Sequence, residues 1–217
     1  MREGTFLIDV GTDHAYLPIA LLKSGKIAGA IASDINEGPC KRADMNARLA
    51  GLSSKIKIMR ADGVPNIPLD GKTDIVIAGM GGTLIEEIVE RADLKKISDV
   101  RLILQPMRNT AELRKYLCEN GFSIEDEMLS REKDRIYEVI CASYDGEKHN
   151  YSDLDLVLGK KNIDKKREYP GLFAYLCEKK ISSLIKKAEG KESSGKDAAF
   201  ERALIEEIKK ERNGTEN

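Results

Sequence analysis

The sequence contains no tryptophan, and aromatic residues make up only 5% of its 217 residues. Its hydrophobic core must therefore be built mainly from aliphatic side chains. Only four cysteines and two histidines are present, and no two cysteines are spaced as Cys-x-x-Cys. A zinc site of the common kinds is therefore not expected, and no other metal site is predicted. We instead expect reduced, buried thiols in a cytoplasmic protein.

Long apolar runs are also lacking. No segment approaches the ~18 apolar residues that a membrane span needs, and no signal peptide precedes the first apolar run, so no membrane association is expected.

Neither sign of charge dominates the sequence, because 36 Lys and Arg residues are balanced by 37 Asp and Glu residues. This balance excludes an evenly basic surface for nucleic acid but leaves room for a local basic patch.

Short apolar runs alternate with amphipathic segments through the first 144 residues. The predicted strands are Thr5–Val10 and residues 28–33, 56–59, 74–78 and 102–104, the last closed by Gln105 and Pro106. The predicted helices are residues 15–24, 37–50, 83–90 and 110–120, the last capped by Thr110. This alternation predicts an α/β fold with a mostly parallel sheet covered on both faces. Residues 122–129 and 135–143 then predict a hairpin that adds antiparallel strands at one end of the sheet.

The composition becomes polar from residue 146, which divides the chain into domains 1–145 and 146–217. Apolar residues recur at helical spacing over 169–185 and over 200–208, with a break at 190–195. This pattern predicts an antiparallel helical hairpin with a frayed end at 211–217. Residues 160–187 carry nine basic and three acidic side chains, the one basic concentration in the chain.

The first strand ends in Asp9, Val10 and Gly11. In an open parallel sheet, ligands bind beyond the carboxyl ends of the strands, and a glycine there lets a ligand approach the backbone. The dinucleotide fingerprint would place further glycines where this chain has Asp13 and Tyr16. A pyrophosphate would meet the carboxylate of Asp13, whereas a cationic cofactor without phosphates would not be repelled.

Acidic residues also end the next two strands. Asp34 can accept both ribose hydroxyl protons, and Asp62 can accept a proton from an adenine amino group. Singly, each is weak evidence, because aspartate is common in turns. Together they indicate an adenosine pocket without phosphate recognition. S-adenosylmethionine fits this description, with Asp9 facing its amino-acid portion.

Four segments carry a family resemblance: DVGTDHAYLP at 9–18, AGMGGTL at 78–84, LILQP at 102–106 and RIYEV at 135–139. They resemble the bacterial tRNA adenine N1-methyltransferases that modify position 22. The resemblance implies a Rossmann-like class I methyltransferase sheet with a C-terminal helical hairpin that contacts tRNA. It runs from about Phe6 to the end of the chain and is weaker in the hairpin.

Two departures from the family pattern stand out. Family members usually begin with a helix before the first strand, whereas Met1 lies just before Thr5 here, so that helix is expected to be missing. Some members also have asparagine where this chain has Met107, although Asn109 is nearby.

The pattern and the resemblance together give a set of candidate site residues. The predicted cofactor-binding residues are Asp9, Gly11, Asp34, Ile35, Asp62, Gly63, Ala78 and Gly79. The predicted catalytic residues are Asp13, His14 and Gln105. The predicted substrate-binding residues are Tyr16, Met80, Gly81, Gly82, Lys165, Lys166 and Arg167.

Adenine N1 carries an in-plane lone pair, so it can attack a sulfonium methyl group directly once it is held in line. A carboxylate or imidazole near the amino group would stabilise the developing positive charge, which favours Asp13 first and His14 second. Gln105 either reads a base edge or holds a turn, and Tyr16 either stacks on the base or packs on its helix. N1 lies on the pairing edge, so the base must be unpaired or extruded.

Two other classes of function remain open. A methyltransferase for another RNA or for a small molecule would share the cofactor residues. A non-enzymatic interaction module would explain the hairpin but not the acids at three strand ends. In the favoured interpretation, tRNA contacts the basic residues 160–187, and the protein is a monomer or a weak homodimer.

Overall fold

The structure, a computed structural model, describes residues 1–67, 71–94 and 99–214. Within these ranges the chain forms a seven-stranded sheet of order β3-β2-β1-β4-β5-β7-β6. The strands are β1 (Thr5–Val10), β2 (Ile27–Asp34), β3 (Ile56–Arg60), β4 (Thr73–Gly81), β5 (Val100–Arg108), β6 (Phe122–Glu132) and β7 (Arg135–Tyr144). The helices are α1 (Tyr16–Lys23), α2 (Glu37–Leu49), α3 (Gly82–Arg91), α4 (Thr110–Glu119), α5 (Asp153–Leu158), α6 (Lys160–Asp164), α7 (Pro170–Ser193) and α8 (Ala199–Asn213).

The strands β1 to β5 are parallel, and β7 runs antiparallel between β5 and β6. Alternate side chains of β1 enter two separate cores: Leu7 packs with α1 and α2, whereas Ile8 packs with α3 and α4. Burial on both faces explains why the strands read as continuous apolar runs. The predicted fold class is confirmed. The strand order reverses between β1 and β4, which places a crevice at their carboxyl ends.

Three boundaries differ from the prediction. Strand β5 continues through Gln105 and Pro106 to Arg108, because β4 extends beside it to Gly81 across two register shifts. Thr110 is buried in the first turn of α4 rather than capping it, and Asn109 is the N-cap residue. Helix α7 continues through Gly190 to Ser193, so the predicted break at 190–195 is too early.

The C-terminal region contains two short helices that the sequence did not predict. Helix α5 begins with a capping box, in which the Ser152 hydroxyl accepts the Asp155 N–H and the Asp155 carboxylate accepts the Ser152 N–H. Helices α7 and α8 form the predicted antiparallel hairpin, with Lys191 bonded to Glu201 near its turn. Helix α8 ends at Asn213, and the remainder of the predicted frayed end, residues 215–217, lies outside the described residues.

A third hydrophobic core fixes the helical hairpin against β6 and β7. Leu129 of β6 and Leu158 of α5 pack there with apolar side chains of α7 and α8. The remaining buried members of this core are Phe173, Leu176, Cys177, Leu204 and Ile208. The hairpin is therefore packed on the sheet edge and not merely tethered to it.

Arg114 of α4 is fully buried, and its guanidinium is satisfied from three elements. It donates to Glu127 Oε1 of β6 at 2.7 Å, to Glu138 Oε2 of β7 at 2.7 Å and to the Leu156 carbonyl of α5 at 2.8 Å. Lys180 of α7 donates to the other oxygen of Glu138 at 2.6 Å. A buried charge is tolerated only when it is paired and hydrogen-bonded, so this network joins the sheet to the helical region.

None of the helices in the described ranges is both long and apolar enough to cross a membrane. Over the same residues, no group of three or more histidine, cysteine, aspartate or glutamate side chains is placed to hold a metal ion.

Candidate active site

A cleft of about 330 Å³ opens at the crevice between β1 and β4. It is lined by Val10, Gly11, Asp34, Ile35, Asn36, Ala61, Asp62, Gly63, Ala78, Gly79, Met80, Leu84 and Ile88. All of the predicted cofactor-binding residues except Asp9 are in this lining. The acids of β1, β2 and β3 follow one another along one edge of the sheet because those strands are neighbours in the order β3-β2-β1.

The loop between β1 and α1 is held against β2 in an unusual backbone conformation. The N–H groups of Gly11 and Thr12 both donate to the Ser33 carbonyl, at 2.8 and 2.9 Å. Gly11, Asp13 and Ala15 have φ values of +73°, +48° and +55°. A Cβ atom at Gly11 would collide with Met80 Cε, so this position needs glycine for both its φ and its space.

Asp9 lies beneath this loop and is only 7% exposed. Thr12 Oγ1 donates to its Oδ2 at 2.6 Å. Burial raises the pKa of Asp9 to about 6, although the Thr12 hydrogen bond acts in the opposite direction. Above that pH the carboxylate presents a negative charge at the end of β1, where a cationic group would neutralise it.

Asp34 and Asp62 are fixed by different contacts. Asp34 Oδ1 accepts the Asn36 N–H at 2.9 Å, which fixes the turn into α2. Asp62 is held from α3 by both terminal nitrogens of Arg91, at 2.7 and 3.2 Å. This hydrogen bonding lowers the pKa of Asp62. An adenine amino group that reaches Asp62 would therefore share its oxygens with Arg91.

Asp13, His14 and Tyr16 form a cluster beside the cleft. Arg42 of α2 donates to Asp13 Oδ1 at 2.7 Å, and this bond lowers the pKa of Asp13. His14 Nε2 lies 3.4 Å from the other oxygen of Asp13. The rings of His14 and Tyr16 are stacked, with centroids 5.1 Å apart and planes 6° from parallel. Tyr16 is 66% exposed, so one aromatic face is open to a further ring.

The glycine-rich loop after β4 is interlocked with the end of β5. Gln105 Oε1 accepts the Gly79 N–H at 3.0 Å, so this amide oxygen holds the loop. Asn109 Nδ2 donates to Thr83 Oγ1 at 3.0 Å. A Cβ atom at Gly82 would collide with the Asn109 carbonyl oxygen, so only glycine lets the two loops approach this closely. Of the two interpretations of Gln105, these contacts favour the structural one.

The predicted RNA-contact residues Lys165, Lys166 and Arg167 follow α6, and the two lysines are engaged within the chain. Lys165 bonds to the Asp126 carboxylate and to the Glu127 carbonyl, and Lys166 pairs with Glu211. Arg167 is exposed. A phosphate that binds either lysine would have to displace a carboxylate, and the predicted RNA contact at these positions stays a prediction.

Arg42 and Arg91 are two site residues that sequence reasoning missed. Each lies on a helix and reaches a strand-end acid 29 positions earlier in the chain. No local motif marks them, because the contact depends on how the helix packs on the sheet. Thr12, which bonds to Asp9, lies inside the DVGTDH segment and could have been proposed from it.

Comparison with known families and curated proteins gives one consistent result. A family model described as tRNA (adenine(22)-N(1))-methyltransferase matches residues 7–210. The Bacillus subtilis protein of that name is 35% identical over 157 residues, which cover 72% of this chain and 66% of that protein. A putative tRNA methyltransferase of Mycoplasma genitalium is 29% identical over 176 residues, covering 78% and 76%. The match to the B. subtilis protein thus spans slightly less than two thirds of that relative.

Solved structures match over more of their length. A Streptococcus pneumoniae putative tRNA (m1A22) methyltransferase, solved in complex with S-adenosyl-L-methionine, superposes with a TM-score of 0.82 at 33% identity. That match covers 95% of this chain and 93% of the other. The B. subtilis m1A22 tRNA methyltransferase matches with a TM-score of 0.76 at 27% identity, covering 97% and 90%.

Proposed function

Since this chain belongs to the tRNA (adenine(22)-N(1))-methyltransferase family, we propose that it transfers a methyl group from S-adenosylmethionine to N1 of adenine 22 in tRNA. The resemblance of the four motifs is confirmed at the level of the family. The observation that carries the proposal is the placement of Asp34 and Asp62 at neighbouring strand ends, around the cleft beside the glycine-rich loop.

The residues of the cleft fit S-adenosylmethionine, which the S. pneumoniae relative binds. Asp34 would accept the ribose hydroxyl protons, and Asp62 the adenine amino proton. Asp9 and the backbone at Gly11 would face the amino-acid portion. When bound, this cofactor supplies an electrophilic methyl group next to a sulfonium cation. The apolar wall, formed by Ile35 and its neighbours, would exclude water from the adenine ring.

We assign the acceptor side of the reaction to the loop between β1 and α1. Asp13 stays ionised because Arg42 lowers its pKa, so it can accept a hydrogen bond from the adenine amino group. The negative charge would stabilise the positive charge that develops on the ring as N1 is methylated. The stacked pair of His14 and Tyr16 offers a platform for the extruded base. Its stacking would help to hold N1 in line with the methyl group.

The two parts of the chain would have separate roles in the reaction. We propose that residues 1–145 bind the cofactor and catalyse transfer, and that residues 146–217 contact tRNA. Structured RNA is bound through phosphates and shape, for which the basic residues of this helical region are suited. A cytoplasmic location and a monomeric or weakly dimeric state stay predictions.

Methylation of a tRNA transcript, followed by mapping of the modified base, tests the proposed function. We expect one methyl group per transcript, at N1 of adenine 22. A matched transcript with uridine at position 22 should accept none. Equal labelling of both transcripts, or methylation only of a small molecule, would contradict the assignment.

A second prediction concerns pH. If ionised Asp9 faces the cofactor amino group, affinity for S-adenosylmethionine should fall about tenfold per pH unit below the Asp9 pKa of about 6. Titration calorimetry between pH 5 and pH 7 measures this dependence. Asp9→Asn should bind weakly and show a flat profile over the same range. A pH-independent affinity of the unaltered protein would contradict the role of Asp9.

The free energy of unfolding of the unliganded protein should change with pH in the direction opposite to cofactor affinity. The pKa of Asp9 is raised by folding, so the folded chain holds this proton up to a higher pH than the unfolded chain. The contribution of the Asp9 proton to the free energy of unfolding is therefore fully present below about pH 4 and is lost as the pH rises through about 6. This opposite sign separates an effect of pH on the cofactor contact from an effect on folding.

A further inference from the structure

A groove runs from the candidate active site to helix α7. It consists of two adjoining cavities of about 420 and 440 Å³ that share Pro106, Met107, Ile136 and Lys179 in their walls. We call it the β5–α7 groove. Gln105 lines its near end and bonds to Gly79 of the cofactor cleft. The groove therefore begins beside the glycine-rich loop that lines the cofactor cleft.

Three cations in the groove are not neutralised by the chain. Arg108, Arg135 and Lys179 line it, and no ion pair with a carboxylate is found for them among the described residues. The ammonium of Lys179 lies only over the Tyr175 ring, 5.1 Å from its centroid. Lys165 differs in being bonded to Asp126. The three cations of the groove are therefore available to a bound anion.

The acids near the groove do not cancel this charge. Glu138 lies in its wall but is bonded to both Arg114 and Lys180. Burial raises the pKa of Glu138, and the two cations outweigh that effect and hold it below its usual value. Glu112 is the other acid of the lining. The three unpaired cations outnumber this one acid, so the wall carries a net positive charge.

Apolar side chains and one tyrosine lie among the cations of the groove. Tyr137 lines the half nearest the active site, together with Met107, which is exposed. Ile136 borders both halves. A positive groove with interspersed aromatic and apolar side chains is the arrangement that binds single-stranded nucleic acid.

We propose that the β5–α7 groove binds the backbone of the unpaired nucleotides that flank the methylated adenine. Arg108, Arg135 and Lys179 contact the phosphates, and Tyr137 packs against a flanking base or ribose. This inference rests on the proposed function, because an adenine extruded into the active site brings its neighbouring nucleotides to the mouth of the groove. It assigns RNA contact to residues of β5, β7 and α7 and not to Lys165 and Lys166.

The double variant Arg135→Gln/Lys179→Gln tests the groove. Each phosphate contact to a single strand contributes about 0.7 to the slope of log K against log salt concentration. Binding of an unmodified tRNA transcript should therefore show a slope that is shallower by about 1.4, with weaker binding at low salt. Lys179→Arg, which keeps the charge, should retain the slope of the unaltered protein.

The matched control is Lys23→Gln/Lys26→Gln, which removes two exposed cations just before β2, at the amino end of the strands. It should leave the slope unchanged. Both double variants should bind S-adenosylmethionine normally, which shows that they are folded. The triple variant Lys165→Gln/Lys166→Gln/Arg167→Gln tests the competing assignment, in which these three residues contact the tRNA.

The possible outcomes separate the two proposals. If the unaltered protein methylates tRNA but the groove variant keeps its slope, the groove inference is overturned and the proposed function stands. The groove inference is also overturned if only the triple variant shows a shallower salt slope, or if the control variant's slope falls as much as that of the groove variant. If the unaltered protein does not methylate tRNA, the proposed function itself fails.

Discussion

Asp13→Asn is expected to slow methyl transfer to tRNA by roughly 10²- to 10⁴-fold, while affinity for S-adenosylmethionine stays near normal. The substitution keeps the shape of the side chain but removes the charge that would stabilise the methylated ring. Asp13 lies outside the lining of the cofactor cleft, so the loss should fall on turnover. Single-turnover methylation with enzyme in excess over the transcript measures it without interference from product release.

Asp44→Asn is the matched control for this experiment. Asp44 is a partly exposed aspartate on α2 that pairs with an arginine, Arg48, at 2.8 Å, much as Asp13 pairs with Arg42 at 2.7 Å. Its substitution should leave the single-turnover rate unchanged. A near-normal rate for Asp13→Asn would remove Asp13 from the mechanism and leave His14 as the next candidate.

Arg114→Met is expected to lower the free energy of unfolding by about 3–5 kcal/mol. The substitution leaves Glu127 without its guanidinium partner and Glu138 with Lys180 alone. Uncompensated buried carboxylates must then either keep an unfavourable charge or take up a proton. Chemical denaturation of the unliganded protein, followed by circular dichroism, measures the loss.

The control for this prediction is Arg48→Met, which breaks an exposed ion pair on α2. Exposed pairs contribute about 0–1 kcal/mol, so little change is expected. Adding Glu127→Gln to Arg114→Met should recover part of the lost stability, because one buried charge is removed. A loss for Arg114→Met no larger than that for Arg48→Met would contradict the importance of the network.

The succession of strands and helices along the chain, and the acids that follow the strands, could be predicted because both depend on local sequence. Buried parallel strands are short apolar runs, and each is followed by the turn that carries its ligand-facing residues. Gly11, Asp34 and Asp62 were therefore recognised by position alone, and the structure brings them to one cleft. Whether they bind the cofactor stays a prediction.

The buried charge network could not be predicted, because a β-bulge changes the alternation of β6. Phe122 and Ile124 face inward, but the register shifts between Ile124 and Asp126. Glu127 and Leu129 consequently take the inward positions. A strict alternation of inward and outward residues would have kept Glu127 exposed.

Helix α5 was missed for a different reason. Its segment is short and polar, and its helical period is too brief to separate from a loop. The capping box of Ser152 and Asp155 was the one available signal. Arg42 and Arg91 were missed because each contacts an aspartate 29 residues away. Such a contact depends on how the helix packs on the sheet, which the sequence spacing does not show.

The Arg114 network also sets an order of events during synthesis. Arg114 leaves the ribosome long before its carbonyl acceptor on Leu156 and before Lys180, which completes the pairing of Glu138. Until those residues emerge, the network lacks one cation and one carbonyl acceptor, so burying two carboxylates with a single guanidinium carries a cost. The nascent chain thus completes its α/β half only when the first part of α7 has been made. For the same reason, a fragment ending at residue 145 would leave this edge of the sheet incomplete.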